Sequence, residues 1–325
     1  MSTHTITTQK VNFKVFRFNA DEDYLPYYND IEMEVTSEEV VLDILNRIKW
    51  DHDGSFSYRR SCRHGICGAC AIKVNGRSTL ACKERINDMI ELFGNELTIE
   101  PLSKKRAIKD MVIDKGDFWE KHEALEPYLV SEVEEHPESE HLVTPQQADA
   151  LLDSDLCIQC GACHYACPVV EVNDEFFGPA AFAAAYRFSA DVRDESETRV
   201  TTANAEKQGV WDCVKCFECA EVCPKEINPI EKITKLHQMY FTDGKAESNV
   251  ATRHAVAFKN SIAKNGVLDE ATMVLYAEGP AIVKHIPVAL KMLTKGKIVP
   301  PWGITKSENL DEIKTLVKSS STVKF

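Results

Sequence analysis

Twelve cysteines dominate the chemistry open to this chain, and they fall into three groups of four. Cys62, Cys67, Cys70 and Cys82 follow the spacing C-x4-C-x2-C-x11-C within SCRHGICGACAIKVNGRSTLAC. Cys157, Cys160, Cys163 and Cys167 form C-x2-C-x2-C-x3-C-P with Pro168, and Cys213, Cys216, Cys219 and Cys223 repeat it with Pro224 after 56 residues. Thiolates are soft ligands that hold zinc or iron-sulfur clusters, and a cluster needs four of them converging within a few ångströms. Disulfides fit poorly, because adjacent C-x2-C pairs would be strained and all twelve thiols are used up as ligand sets without remainder. A four-cysteine zinc site competes for the first group, but such sites favour two separated C-x2-C pairs.

The first spacing resembles that of plant-type binuclear ferredoxins with a shortened last interval, and points to a [2Fe-2S] cluster. Gly65 and Gly68 would let backbone amides approach the sulfurs without a side chain intervening, and the fourth ligand would come from across a hairpin. Arg59, Arg60, Arg63 and His64 crowd the same loop. Positive charge there stabilises a reduced cluster and raises its potential; a phosphate-binding patch is the other reading. The repeated run is that of bacterial two-cluster ferredoxins, in which the fourth cysteine crosses over to the other cluster. That pattern assigns Cys157, Cys160, Cys163 and Cys223 to one [4Fe-4S] cluster, and Cys213, Cys216, Cys219 and Cys167 to another. Three such groups suit single-electron transfer between two-electron partners located elsewhere. No G-x-G-x-x-G follows a strand and no G-x-x-x-x-G-K-[ST] occurs, so no flavin site and no catalytic residue is expected in this chain. Trp211 and Phe217 would either insulate a cluster from water or pack in the core. His164 reads as a satisfied loop histidine rather than a ligand, and Phe176, Phe177, Phe182 and Tyr186 as core.

The elements that must carry these loops change character along the chain. Val11, Phe13 and Val15, then Ile31, Met33 and Val35, alternate with polar positions as strands do. Thr36 and Glu39 make a capping-box pair ahead of Val41, Ile44, Leu45 and Ile48 at helical spacing. Residues 71–81 read as a hairpin around Asn75-Gly76, and Leu97 to Glu100 as a last strand. The expected domains are a [2Fe-2S] domain over 1–103, a linker over 104–144 ending in the acidic SEVEEHPESEH, a helical two-cluster domain over 145–250, and a helical extension over 251–325. Helices are expected in PQQADALLDSD, PAAFAAAYRFSAD and NPIEKITKLHQMYF.

The chain has 325 residues, 44% hydrophobic and 27% charged, an ordinary globular balance that excludes disorder throughout. A net charge of -13 argues against a general nucleic-acid binder, so a protein partner is expected. The charge is segregated: residues 250–325 carry eleven Lys/Arg against six Asp/Glu, a net of +5, which leaves -18 for residues 1–249. That basic tail either lies on its own acidic domain or docks on an anionic partner or membrane surface. No run of about 18 apolar residues spans a membrane, and no secretory signal is read at the amino terminus.

Over about residues 10 to 245 the order of these motifs resembles the iron-sulfur subunit of succinate dehydrogenases and fumarate reductases. The resemblance implies an α+β chain, with an N-terminal β-grasp plant-type ferredoxin domain followed by an all-α bacterial-ferredoxin-like domain. It also implies electron transfer between FAD in a flavoprotein subunit and the quinone pool, in the order binuclear cluster, Cys157 cluster, Cys213 cluster. Most members have no cysteine at the position of Cys216 and hold a [3Fe-4S] cluster last; the thiol here implies a second [4Fe-4S], with [3Fe-4S] as the alternative. Members with a quinone pocket place a tryptophan after the first proline and a histidine after the first cysteine of the second run, where this chain has Val169, Val170, Glu171 and Val214. Residues 255–305, with FKNSIAKNGVLDEATMVLYA and ALKMLTKGKIVPPWG, resemble the C subunit of heterodisulfide reductases. That implies a CCG-domain partner in place of the usual membrane anchor, with a thiol- or heterodisulfide-linked fumarate reductase as the alternative activity. The expected location is peripheral, on the cytoplasmic face of a membrane, or periplasmic by export with a signal-bearing partner.

Overall fold

The computed structural model of the protein describes residues 7–131, 140–242, 244, 246–297 and 303–320. The chain divides into two units, residues 1–203 with 208–236 and residues 204–207 with 237–325.

The first unit opens with β1 (Thr8–Arg17) and β2 (Tyr27–Thr36), antiparallel, with Val11 opposite Met33 and Phe13 opposite Ile31. Val11, Phe13, Val15, Met33 and Val35 point inward, as their alternation requires. Glu39 Oε2 accepts from the Thr36 N–H at 2.7 Å, but this pair closes the turn after β2 and does not cap the helix. Val40 is held extended by a bridge to Arg85, so α1 starts later, at Val41–Arg47, and the Asp43 carboxylate accepts the Val40 N–H at 3.1 Å. Val41, Ile44 and Leu45 are its buried face, and the helix widens into a π turn over Ile48–His52. The hairpin β3 (Ala71–Val74) and β4 (Arg77–Leu80) turns on Asn75 and Gly76, both at positive φ, 46° and 82°. These angles suit a type I′ turn, whose twist matches that of the strands. After α2 (Ile86–Phe93), β5 (Glu96–Glu100) enters parallel to β1 and antiparallel to β3. The mixed sheet runs β2-β1-β5-β3-β4, the arrangement expected of the first domain.

Residues 104–144, expected as a linker, hold a small hairpin of β6 (Ala107–Lys109) and β7 (Val112–Ile113), followed by α3 (Gly116–Glu123). Met111, Ile113, Phe118 and Leu125 are buried, Phe118 against His164 and Tyr165, so this stretch packs into the unit. Most of the acidic SEVEEHPESEH, residues 132–139, lies outside the described residues.

The helical part begins with α4 (Pro145–Asp149), capped by Thr144 Oγ1, which accepts the Gln147 N–H at 3.3 Å. It is shorter than the helix expected in PQQADALLDSD, because the chain turns at Asp153 (φ 68°) into a single 3-10 turn before Cys157. Next come α5 (Ala162–Ala166) and α6 (Pro168–Val172), then α7 (Pro179–Ser189), which buries Phe182 and Tyr186; Phe176 and Phe177 before it are buried too, as expected. Then follow α8 (Arg199–Ala203), α9 (Glu218–Glu221) and α10 (Pro229–Thr242). Arg199, fully enclosed, donates to the carbonyls of Glu126 and Tyr128 at 3.0 and 2.8 Å and pairs with Asp194, fastening the segment after α3 to α8.

The second unit holds α11 (Val250–Asn265), α12 (Glu270–Glu278), α13 (Ile286–Thr294) and α14 (Leu310–Ser320). Asn249 and Asp269 cap α11 and α12 through side chains that accept the N–H of Thr252 and Thr272, both at 2.9 Å. Gly266 ends α11 at φ 72°, and a Cβ there would lie 2.5 Å from the Ser307 side chain. No helix among the described residues is long and apolar enough to cross a membrane.

Candidate metal centres

The loop of the first cysteine group is pinned from two sides. Arg17, buried at the end of β1, donates from Nε to Asp110 at 2.9 Å and from Nη2 to Ser55 at 2.9 Å, and pairs with Asp53. Hydrogen bonds from Ser55 and Arg17 hold the Asp53 carboxyl at about 2. Past this anchor the chain winds through Arg63, Gly65 and Gly68, all at positive φ. Its amides turn inward: His64 and Cys67 N–H each reach Cys62 Sγ at 3.4 Å, and Gly65 N–H reaches Cys82 Sγ at 3.2 Å. Those donors favour thiolate and pull Cys62 down to about 6, while burial pushes Cys70 up to about 12. Cys62 touches Cys67 and Cys70 touches Cys82, so the four side chains form one group.

Of the cations crowding this loop, Arg60 turns away from the sulfurs. Its guanidinium bonds Asn46 and lies over the rings of Trp50 and Tyr58 at 5.4 and 5.8 Å. Arg59 reaches the Ile113 carbonyl at 3.5 Å.

The eight remaining cysteines line two recesses. One, about 320 Å³ with its mouth included, is lined by Cys157, Cys160, Cys163 and Cys223. The other, about 330 Å³, is lined by Cys213, Cys216, Cys219 and Cys167. Each run keeps three cysteines at home and sends its fourth across. The route is set locally: Cys167 is extended and followed by Pro168, which opens α6 and so redirects the chain, and Cys223 is likewise followed by a proline, Pro224. Burial raises six of these thiols, Cys157, Cys160, Cys163, Cys167, Cys213 and Cys219, pushing Cys160 to about 11 and Cys219 to about 12, so those six are protonated at neutral pH when no metal is present. Metal binding here must therefore release protons. No three or more His, Cys, Asp or Glu side chains among the described residues converge as a site for one metal ion. Each recess instead presents four thiols around one space, the donor set a cluster takes.

Three features of this region are not legible in the cysteine spacing. Gly68 packs so closely on the Cys157 run that a Cβ would lie 2.8 Å from Cys160 Cα and Cβ. Lys83, next to Cys82, donates to the Pro224 carbonyl at 3.4 Å. Lys115 donates to the Gln159 and Cys160 carbonyls, both at 3.1 Å. All three join segments more than 40 residues apart, so no local pattern announces them.

Other expected residues are placed as follows. His164 is buried on α5, 3.5 Å from Asp117, and lines neither recess. Phe217 is 58% exposed at the rim of the Cys213 recess, so it is not a core side chain; Trp211 is half-buried. Val169 and Val170 are buried and Val214 is 65% exposed. Of ALKMLTKGKIVPPWG, residues 298–302 lie outside the described residues.

Known families match both regions. A 2Fe-2S iron-sulfur cluster binding domain matches residues 12–120, and a 4Fe-4S dicluster domain matches residues 153–227. The chain is 35% identical over 236 residues to a fumarate reductase iron-sulfur subunit of Haemophilus influenzae, covering 69% of this chain and 91% of that one. It is 31% identical over 294 residues to an 8-methylmenaquinol:fumarate reductase iron-sulfur subunit of Wolinella succinogenes, covering 89% of this chain and 91% of the relative. Among solved structures, a chain of the Mycobacterium smegmatis Sdh1 complex in the apo form matches with a TM-score of 0.65 at 25% identity, over 74% of this chain and 99% of that chain.

Proposed function

The chain belongs to the iron-sulfur subunits of succinate dehydrogenases and fumarate reductases, an electron-transfer family, and on that premise we propose a relay through three clusters held in single file. Cys62, Cys67, Cys70 and Cys82 hold a [2Fe-2S] cluster; Cys157, Cys160, Cys163 and Cys223 hold a [4Fe-4S] cluster; Cys213, Cys216, Cys219 and Cys167 hold a second. When bound, these groups supply one-electron oxidation and reduction, and the chain itself supplies no substrate site. The observation that carries the reading is the sorting of the eight later cysteines into two recesses, each completed by the fourth cysteine of the other run.

Two proximities support this order of the relay. Gly68 of the binuclear loop lies against Cys160, and Cys163 and Cys219 stand within electrostatic reach of one another across the two recesses. Electrons from FAD in a flavoprotein partner would enter at the binuclear loop and leave beside Cys216, the exposed cysteine of the last set. A fourth thiol at that set supports [4Fe-4S] over [3Fe-4S]. The far partner is a CCG-domain or membrane-anchor subunit that reacts with the quinone pool. The match to the 8-methylmenaquinol:fumarate reductase subunit, which runs on over 89% of the chain, favours quinol over a thiol at that end.

The tail is the docking surface for that partner. Val283 to Lys297 are all exposed, apolar side chains alternate with Lys284, Lys291, Lys295 and Lys297, and no Asp or Glu occurs from 279 to 307. That surface supports a peripheral seat at a membrane, on its cytoplasmic face or, as the alternative, on its periplasmic face. The test is anaerobic purification with metal and sulfide analysis: about ten irons and ten labile sulfides per chain are expected. Two or three zincs, or a colourless chain, would end the reading.

A further inference from the structure

Lys115 sits just before α3, in a stretch whose sequence points to no function, and its half-buried ammonium is held by two carbonyls and two rings. Nζ donates to the Gln159 and Cys160 carbonyls at 3.1 Å each, and lies 4.7 Å from the Phe118 ring centroid and 5.4 Å from that of Trp119. Burial, with the nearby Arg59, pulls Lys115 below its ordinary value, and two carbonyl dipoles and two aromatic faces work against this by favouring the charged form. They also fix it against the backbone of the ligand loop, within electrostatic reach of Cys160 and Cys163.

The Cys213 run has no counterpart. The carbonyls matching Gln159 and Cys160 are those of Lys215 and Cys216, and no side chain donates to them among the described residues. The cation nearest Cys213 is Lys215 of the same loop, exposed to water and screened by it.

We propose that Lys115 is a positioning residue for the Cys157, Cys160, Cys163 and Cys223 site, setting its reduction potential selectively upward by fixing one positive charge against the Cys160 loop. The proposal rests on the reading of those four cysteines as cluster ligands. Reduction adds one electron to a group already surrounded by four thiolates. A cation held at fixed distance in a partly dry setting stabilises the more negative state, and does so more strongly than one in water. The same two hydrogen bonds hold the loop's carbonyls, so charge and geometry act together and must be separated by experiment.

The test uses the holo-chain, reconstituted or purified anaerobically, in a redox titration followed by low-temperature EPR. Lys115→Gln keeps a donor for the carbonyls and removes the charge; Lys115→Arg keeps the charge. With Gln, the midpoint of one [4Fe-4S] signal is expected to fall until the reduced-to-oxidised ratio at the wild-type midpoint drops about tenfold, 59 mV for a one-electron couple. The other two signals stay in place, and Arg holds the wild-type value. If the Gln chain does not load, Lys115→Met is read the same way. A Gln or Met chain with full cluster content and an unmoved midpoint would overturn the proposal, as would an equal shift of all three centres. A wild-type chain without [4Fe-4S] signals would instead strike the ligand assignment beneath it.

Discussion

Gln159 and Lys215 hold the same place in the two cysteine runs and share a φ of 53°; two positions on, Gly161 and Phe217 have φ of 88° and 65°. The backbone path is thus repeated while the residues along it are not. At Gly161 a Cβ would sit 3.1 Å from the Tyr165 ring and 3.5 Å from Lys115, so the first run is walled in and a side chain at this positive φ is strained. At Phe217 the side chain stands in solvent, 58% exposed, between exposed Cys216 and Glu218. An enclosed site, with the binuclear loop against one flank, suits a relay between two others. An open site, with a cysteine and an aromatic ring at its rim, suits delivery to a partner. On the proposed reading, one sequence repeat serves two roles because its surroundings differ.

The largest expected break in this comparison comes from Cys216→Ser. Removing the exposed thiol should turn the last cluster into a [3Fe-4S] form, with a new EPR signal in the oxidised sample, a loss of about one iron per chain, and the Cys157 site untouched. An unchanged spectrum would show that Cys216 is not a ligand.

Next in size is Gly68→Ala. The added methyl meets Cys160 Cα and Cβ at 2.8 Å, atoms fixed in a ligand loop, and the residue sits at φ 69°. Strain of about 1–3 kcal/mol is expected, with lower iron content at the first two sites and little change at the third. Iron and EPR quantitation per site decides it, since equal loss at all three would mean general misfolding. Gly161→Ala probes the wall itself and should cost about 1–2 kcal/mol in anaerobic denaturant unfolding, because the Tyr165 ring can yield somewhat where backbone cannot. A neutral result would mean that the first site is not closed by that ring.

What the sequence made legible and what it left dark follow the same line. Cysteine spacing is a local signal: it marks the three groups, and the likeness of the repeated run to two-cluster bacterial ferredoxins implies the crossing of Cys167 and Cys223. The hairpin at Asn75-Gly76 was legible for a similar reason, since that dipeptide tolerates the two positive φ angles such a turn needs. Lys115 was not, because its meaning lies in carbonyls 44 and 45 residues away. The stretch of 104–144 reads as linker by its acidic end, yet Met111, Ile113 and Phe118 earlier in it are buried. Thr36 and Glu39 do bond as a cap would, but Val40 is committed to a bridge with Arg85 and postpones the helix. An aromatic beside a cysteine suggests core or insulation; only the surroundings reveal that Phe217 faces out.

That ring supplies the smallest and sharpest test. A bulky residue at φ 65° carries about 1–2 kcal/mol of backbone strain, and an exposed ring recovers little of it by burial. Phe217→Gly relieves the strain but gives the unfolded chain more freedom, a cost of about 0.4–1 kcal/mol. The balance is a gain of about 0.5–1 kcal/mol, read as a higher denaturant midpoint of the holo-chain with iron content unchanged. Gly161 admits no reciprocal exchange, since phenylalanine there would collide with Tyr165. On the proposed reading, this ring stands at the rim of the outlet, where a redox partner would cover it. Should Phe217→Gly instead lower the midpoint or shed iron, the ring is part of the wall of the second site, and the contrast between an enclosed relay and an open outlet fails at its clearest point.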